Sequence, residues 1–464
     1  MRSTQPITNL SLSTAMITRF FKNSVGLRMI IIAALTLLML LPVSFVENLI
    51  YEREARRDEA VQEISSKWGG TQTISGPILE IPYKTLVRQE RQNDKGVTTT
   101  FMEEITDYIH ILPENLRVSA TLTPEIRYRG IYQVILYRSK ITISGTFLSN
   151  GIKELGITPE NILWGEAALS LGLGDLKGIK SAINIRYNDT TYSANPGLLS
   201  TQVLSQGITI RPPVSSTEKS DFTVELDLNG STELFFVPVG RETTVQVEAG
   251  WGNPSFMGAY LPETREVSTE KFKASWKILH LNRNYPQIWT GNSYAIKESA
   301  FGVKLIPGID EYQKTMRTAK YAIMFLALTF LAFFMVEVLT RRVIHPIQYV
   351  LIGLALVIFY TLLLSISEQM NFNRAYWIAS IAIIALITLY TRSVLSNTLA
   401  TVIILGILTV LYGFLFIILQ LQDYALLLGS IGLFVILAIV MYITRNIDWF
   451  ALGKSEPEQS SEPK

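Results

Sequence analysis

The sequence predicts a membrane α-helical protein: six transmembrane helices, with a large periplasmic β-rich domain inserted between the first and the second. Three observations carry this. Long uncharged stretches lie near the start and throughout the last third, 48% of the 464 residues are hydrophobic while only 17% are charged, and the middle alternates apolar and polar residues with period two. One ordinary core would need less apolar surface, so the excess must face lipid.

A hydrocarbon core about 30 Å thick is crossed by roughly 20 helical residues rising about 1.5 Å each. Residues 27–46 form the first such segment, with Arg28 as its only charge. The others are 321–339, interrupted by Glu337, then 347–366, 375–391, the long stretch 393–422, and 424–444. The first run exceeds the roughly 7–15 apolar residues of a signal peptide, and Pro42 to Glu47 offers no small-residue cleavage site, so it reads as an uncleaved anchor.

Lysine and arginine in short flanks set orientation. Arg2, Arg19, Lys22 and Arg28 fall on one side with Arg341, Arg342, Arg392, Arg445, Lys454 and Lys464, whereas the opposite short loops hold only Arg374. Both termini are therefore expected in the cytoplasm of a cell-inner-membrane protein. The divisions are a cytoplasmic segment 1–26, a first span 27–46, a periplasmic domain 47–320, a five-helix block 321–444 and a cytoplasmic tail 445–464.

Within the insert, Leu49, Ala60, Val61, Ile64 and Trp68 recur at helical spacing, predicting an amphipathic helix over 47–67 that Gly69-Gly70 ends. Beyond Thr73, segments such as Phe222-Thr-Val224-Glu-Leu226-Asp-Leu228 and Ile141-Thr-Ile143-Ser read as half-buried strands. Asn150-Gly151 and Asn229-Gly230 read as turns. An antiparallel, sandwich-like or layered β domain with few helices follows.

Formal charge excludes nucleic acid as an expected partner. The chain carries 41 Lys+Arg against 39 Asp+Glu, and residues 47–320 alone carry 30 basic and 32 acidic side chains. Zero cysteines exclude disulfides, thiolate zinc, iron–sulfur clusters and a cysteine nucleophile. His110, His280 and His345 are too scattered for a metal site, the expected roles being strand surface for His110 and a helix-hairpin turn for His345-Pro346. Gly172-Leu173-Gly174 with Gly178 lacks the third glycine of a dinucleotide loop, since Lys177 stands there. Ser216, Ser268 and Ser461 each precede a lysine by three, the spacing of a penicillin-binding nucleophile, without a K-T-G or S-D-N companion. No catalytic, cofactor-binding or metal residue is therefore assigned.

Glu337 is the sharper candidate, because a carboxylate within a span is a default proton or substrate site. Arg341 at i+4 offers an interfacial ion pair instead. Glu368, Arg374 and Asp423 fall at the opposite interface and read as solvated loop residues.

Several longer words complete the reading. Arg317-Thr-Ala-Lys320-Tyr321-Ala-Ile-Met, Leu328-Thr-Phe330-Leu-Ala-Phe333-Phe334, His345-Pro346-Ile-Gln348-Tyr349, Leu362-Leu-Leu-Ser-Ile-Ser-Glu368, Pro254-Ser-Phe256-Met-Gly258 and Thr444-Arg445-Asn446-Ile447-Asp448-Trp449 resemble the CreD family of inner-membrane proteins. The resemblance covers almost everything from the first span to Phe450, with Gln369 where histidine would be expected. It implies a cell envelope integrity protein, in some bacteria under the CreBC two-component system and linked to colicin tolerance and β-lactam phenotypes, and no established reaction. The leading expectation is a non-enzymatic protein contacting membrane lipids and envelope proteins or cell-wall components. The alternatives are a transporter or lipid-handling protein, resting on Glu337, and a periplasmic hydrolase, resting on Ser216 or Ser268.

Overall fold

The computed structural model describes residues 25–92, 98–215, 219–307, 311–340, 342–421 and 424–445. Two compact units divide the chain: Met1–Ala55 with Asp310–Lys464, and Arg56–Ile309.

The first unit begins with α1 (Val25–Leu38), followed by α2 (Leu40–Trp68), which continues into the second unit. Their junction at Met39 has a local cause. Pro42 lacks the N–H that the Leu38 carbonyl would accept in an unbroken helix. Then come a short helix α3 (Glu311–Lys320), which the hydropathy pattern does not separate, and α4 (Ala322–Thr340), α5 (Pro346–Ser367), α6 (Phe372–Leu395), α7 (Thr398–Gln420) and α8 (Ala425–Thr444). Among the described residues six helices are long and apolar enough to cross a membrane, α1 and α2 counting as one. Polar caps start them where the apolar runs begin: the side chains of His345, Asn371 and Asn397 accept from the first N–H groups of α5, α6 and α7. The core of this unit is aromatic, with Phe330, Phe359, Tyr360, Tyr376 and Tyr412 buried and the Tyr376 hydroxyl donating to the Tyr412 carbonyl at 2.6 Å. By contrast α8 buries only Ala425, as befits a helix whose surroundings are lipid.

The second unit is built on two sheets, of nine and eight strands. In the nine-stranded sheet the long strand Gln72–Gln92 lies between Thr98–Ile111 and Ala168–Gly172, both antiparallel to it. In the eight-stranded sheet Asn115–Arg129, Tyr132–Leu148 and Lys219–Ser231 run antiparallel in that order. The expected alternation holds: Phe222, Val224, Leu226 and Leu228 are buried while Asp221 and Glu225 are exposed. Their side chains join Ile81, Ile143, Val247, Trp276 and Phe301 in one core. Gly69 ends α2 with φ +140°, a backbone state that needs glycine, and a Cβ there would stand 2.7 Å from the Asn229 carbonyl.

Two expectations are corrected. The sheets are not purely antiparallel, for Gln72–Ser75 pairs parallel with Leu234–Val237, and Glu242–Ala249 parallel with Asn115–Leu122. The cause is a change of sheet. The chain leaves the eight-stranded sheet at Ser231, turns through Thr232 at φ +56°, and enters the nine-stranded sheet at Glu233, so a non-hairpin connection sets the direction. Nor is Asn229-Gly230 a turn: it lies inside Lys219–Ser231, opposite Arg138 and Tyr137. Gly230 is there because the Tyr137 ring fills the space of a Cβ, whose position lies 2.3 Å from that ring. Asn150-Gly151 does follow a strand, Tyr132–Leu148, and opens the 3-10 helix Asn150–Leu155.

Candidate functional sites

In the helical unit, Glu337 sits in the last turns of α4 with 3% of its side chain exposed. Arg28 Nη1 from α1 donates to its Oε1 at 2.9 Å, and the Tyr349 hydroxyl from α5 donates to its Oε2 at 3.0 Å. Arg341, the partner expected from sequence, lies outside the described residues; the partner in the structure is Arg28. Both carboxylate oxygens are thus engaged, and three helices are joined through one side chain. At the other end, Glu368 follows α5 and is 11% exposed, so the solvated role expected for it is overturned. Tyr312 on α3 donates to its Oε1 at 3.0 Å and Arg53 Nε lies 3.9 Å away. Arg28 and Arg53 are separated by about 38 Å of helix, enough for the two Arg–Glu–Tyr clusters to straddle a hydrocarbon core of about 30 Å.

In the β unit the expectation for His110 is overturned: it is fully buried, not on the strand surface. Register explains this. Trp289, His110, Glu80 and Ala168 stand side by side on four adjacent strands of the nine-stranded sheet. Glu80 is equally buried, with its Oε1 3.5 Å from His110 Nδ1 and its Oε2 accepting from Ser170 Oγ at 2.6 Å. His110 Nε2 lies 3.1 Å from Gln202 Oε1, and Gln202 Nε2 donates to Asp107 at 2.8 Å. Burial pushes the Tyr83 hydroxyl, which donates to Asp107 at 3.2 Å, above its ordinary range. Ser170 Oγ donates a hydrogen bond to the Glu80 carboxylate, not to histidine, and is fully buried. A sequence signal existed. Glu80 interrupts Ile78-Leu79-Glu80-Ile81 and His110 interrupts Ile109-His110-Ile111-Leu112, continuous apolar runs that mark strands buried on both faces.

A second buried polar centre surrounds Arg283. Its guanidinium bonds the carbonyls of Tyr285, Pro286, Val239 and Gly240 and the side chain of Gln287, and its Cζ stacks 4.2 Å from the centre of the Tyr285 ring. Burial lowers its pKa from the ordinary arginine range and pushes the Tyr285 hydroxyl up to about 12. Nothing in the sequence singled out this arginine from the other charged residues.

The remaining candidates are structural or lie elsewhere. Ser268 Oγ donates to the Lys271 carbonyl at 3.0 Å and accepts the Lys271 N–H at 3.1 Å, which holds a turn. Ser216, Ser461 and Asp423 lie outside the described residues. Gly172 closes a strand and Gly178 a 3-10 helix, in the loop capped by Asp175. His280 opens the 3-10 helix His280–Asn282, and His345 caps α5 at the helix-hairpin position expected for it. Among the described residues no three His, Asp or Glu side chains converge as metal ligands.

The family model described as inner membrane protein CreD matches residues 24–450. Inner membrane protein CreD of Escherichia coli (strain K12) is similar at 34% identity over 431 residues, which cover 92% of this chain and 94% of that protein. The match runs through the helices, both sheets and the clusters at Glu337 and Glu80, and the chain accordingly belongs to the CreD family of inner membrane proteins.

Proposed function

We propose that this protein maintains the integrity of the cell envelope without catalysing a reaction, its termini in the cytoplasm and its β unit in the periplasm. There the β unit contacts envelope proteins or cell-wall components, while the helices hold it among membrane lipids. The observation that carries this reading over transport is the state of Glu337. A proton or substrate site needs a carboxylate free to exchange partners, whereas Glu337 is engaged by Arg28 and Tyr349. The hydroxyl of Ser268, the described candidate for hydrolysis, is spent on a turn. Family membership and the asymmetry of lysine and arginine support the envelope role and the orientation.

The test is a chromosomal deletion complemented with the full chain. Sensitivity to detergent, lysozyme and β-lactams should rise on deletion and be restored by the wild type and by Ser268→Ala alike. Unchanged sensitivity in the deletion, or failure of a normally abundant Ser268→Ala protein to restore it, would remove this reading.

A further inference from the structure

The polar row beneath residues 197–206 leaves one proton to be placed. Asp107 fixes the direction of the chain of bonds, since its carboxylate accepts the Tyr108 N–H and Gln202 Nε2 on Oδ1, at 2.8 Å each, and the Tyr83 hydroxyl on Oδ2. Gln202 therefore presents its Oε1 to His110, and His110 Nε2 must carry hydrogen. In a neutral ring that leaves Nδ1 as a bare lone pair. It faces Glu80 Oε1 at 3.5 Å, and among the described residues neither atom has another hydrogen-bond partner. Ser170 supplies its hydrogen to the other oxygen, Oε2.

Two fully buried acceptors turned toward each other repel, and a buried carboxylate without a donor is costly. A single proton removes both problems. Placed on His110 it makes an ion pair, and placed on Glu80 it makes a neutral hydrogen bond to Nδ1; in both forms the pair holds one proton. We propose that Glu80 and His110 form a buried proton-binding site, whose held proton joins the adjacent strands Gln72–Gln92 and Thr98–Ile111 through these two side chains. The other groups facing the pair are Thr209, whose Oγ1 is 3.4 Å from Ser170 Oγ, and the Trp289 ring, 5.4 Å from the imidazole and itself packed by Tyr285 and Tyr294. Among the described residues no lysine or arginine pairs with Glu80, His110 or Asp107. No paired cation there takes the place of the proton in neutralising the Glu80 carboxylate.

The full chain in lipid nanodiscs can report this directly, because it has only three histidines. His280→Gln and His345→Asn, the latter keeping a good helix cap, leave His110 alone to be read by ¹⁵N-histidine NMR at pH 7.5. In parallel, thermal unfolding is followed from pH 7 to 9 for wild type and Glu80→Gln, whose amide can donate its own N–H to Nδ1 without taking up a proton. Above about pH 7 free glutamate and histidine hold no such proton. A folded state that holds one more than the unfolded state loses about tenfold in its folding constant per pH unit as pH rises. Wild type should then lose stability with pH relative to Glu80→Gln. An imidazolium signal, or a neutral ring together with that pH difference, supports the site, the second placing the proton on Glu80. A neutral ring with parallel pH responses in the two proteins overturns it. If Glu80→Gln fails to fold, the wild-type pH response is read against Ser170→Ala, which keeps the pair; equal slopes with an imidazolium support the site and a neutral, pH-independent ring overturns it.

Discussion

Arg28 Nη1 lies 2.9 Å from Glu337 Oε1, joining two spans whose residues are 309 positions apart. The pair is unequal in exposure, 24% for the arginine side chain and 3% for the carboxylate. Each removal should therefore cost more than the roughly 0–1 kcal/mol of an exposed pair and less than the roughly 3–5 kcal/mol of a fully buried one. Arg28→Gln and Glu337→Gln should each lower the melting temperature in detergent, and the double variant should fall short of their sum. Arg341→Gln should be milder than Arg28→Gln. Envelope function should survive in Glu337→Gln at normal abundance; complete loss of function beside an active Arg28→Gln would move Glu337 to a transport role.

The spans were legible because lipid imposes a long, uninterrupted apolar run, and strands such as Lys219–Ser231 because half burial imposes alternation. What escaped depends on partners distant in sequence. Arg341 is near Glu337 along the helix, but nothing local reveals that Arg28 arrives from another span. His110 reads as a surface residue only under a strict period of two, while Ile109, His110 and Ile111 at the end of its strand are all buried. Asn229-Gly230 has the chemistry of a tight turn, and only the Tyr137 ring across the strand explains its extended course.

The proposed orientation can be checked cleanly because the chain has no cysteine of its own. Ile131 lies exposed at the tip of the hairpin formed by Asn115–Arg129 and Tyr132–Leu148, Gln369 is exposed after α5, and Val343 is exposed between α4 and α5. With the outer membrane permeabilised, a membrane-impermeant maleimide should label Ile131→Cys and Gln369→Cys, and should label Val343→Cys only after lysis. Labelling of Val343→Cys in intact cells with protection of Ile131→Cys would invert the arrangement.

Arg283 offers a test of how the β unit holds its loops. Its fork reaches carbonyls of the 238–240 and 285–287 segments, a geometry that lysine cannot copy. Leaving such carbonyls buried without donors costs about 1–3 kcal/mol. Arg283→Lys and Arg283→Leu should both destabilise the β unit by about that amount, seen as faster proteolysis within residues 56–309 while the helices stay protected. Equal stability of Arg283→Lys and wild type would show that charge, not the planar fork, is what matters.

Gly230 and Tyr137 give a comparison that isolates packing from backbone preference. The glycine is in an extended strand, so alanine is allowed by its backbone, and any cost must come from the cross-strand ring whose atoms stand 2.3 Å from the new Cβ. Tyr137 cannot withdraw easily, since it is fully buried and its hydroxyl donates to the Glu233 carbonyl at 2.7 Å. Overpacking of this kind costs typically about 1–3 kcal/mol. Gly230→Ala should therefore destabilise the full-length protein in a thermal or denaturant melt. Tyr137→Leu should do so as well, by loss of a buried ring and its hydrogen bond. Combined, the two should be strongly sub-additive, because the smaller side chain vacates the space the methyl group needs. If Gly230→Ala costs as much in the Tyr137→Leu background as in the wild type, the close approach of that ring is not the reason for glycine at this position, and a backbone requirement of the strand near its change of sheet at Thr232 takes its place.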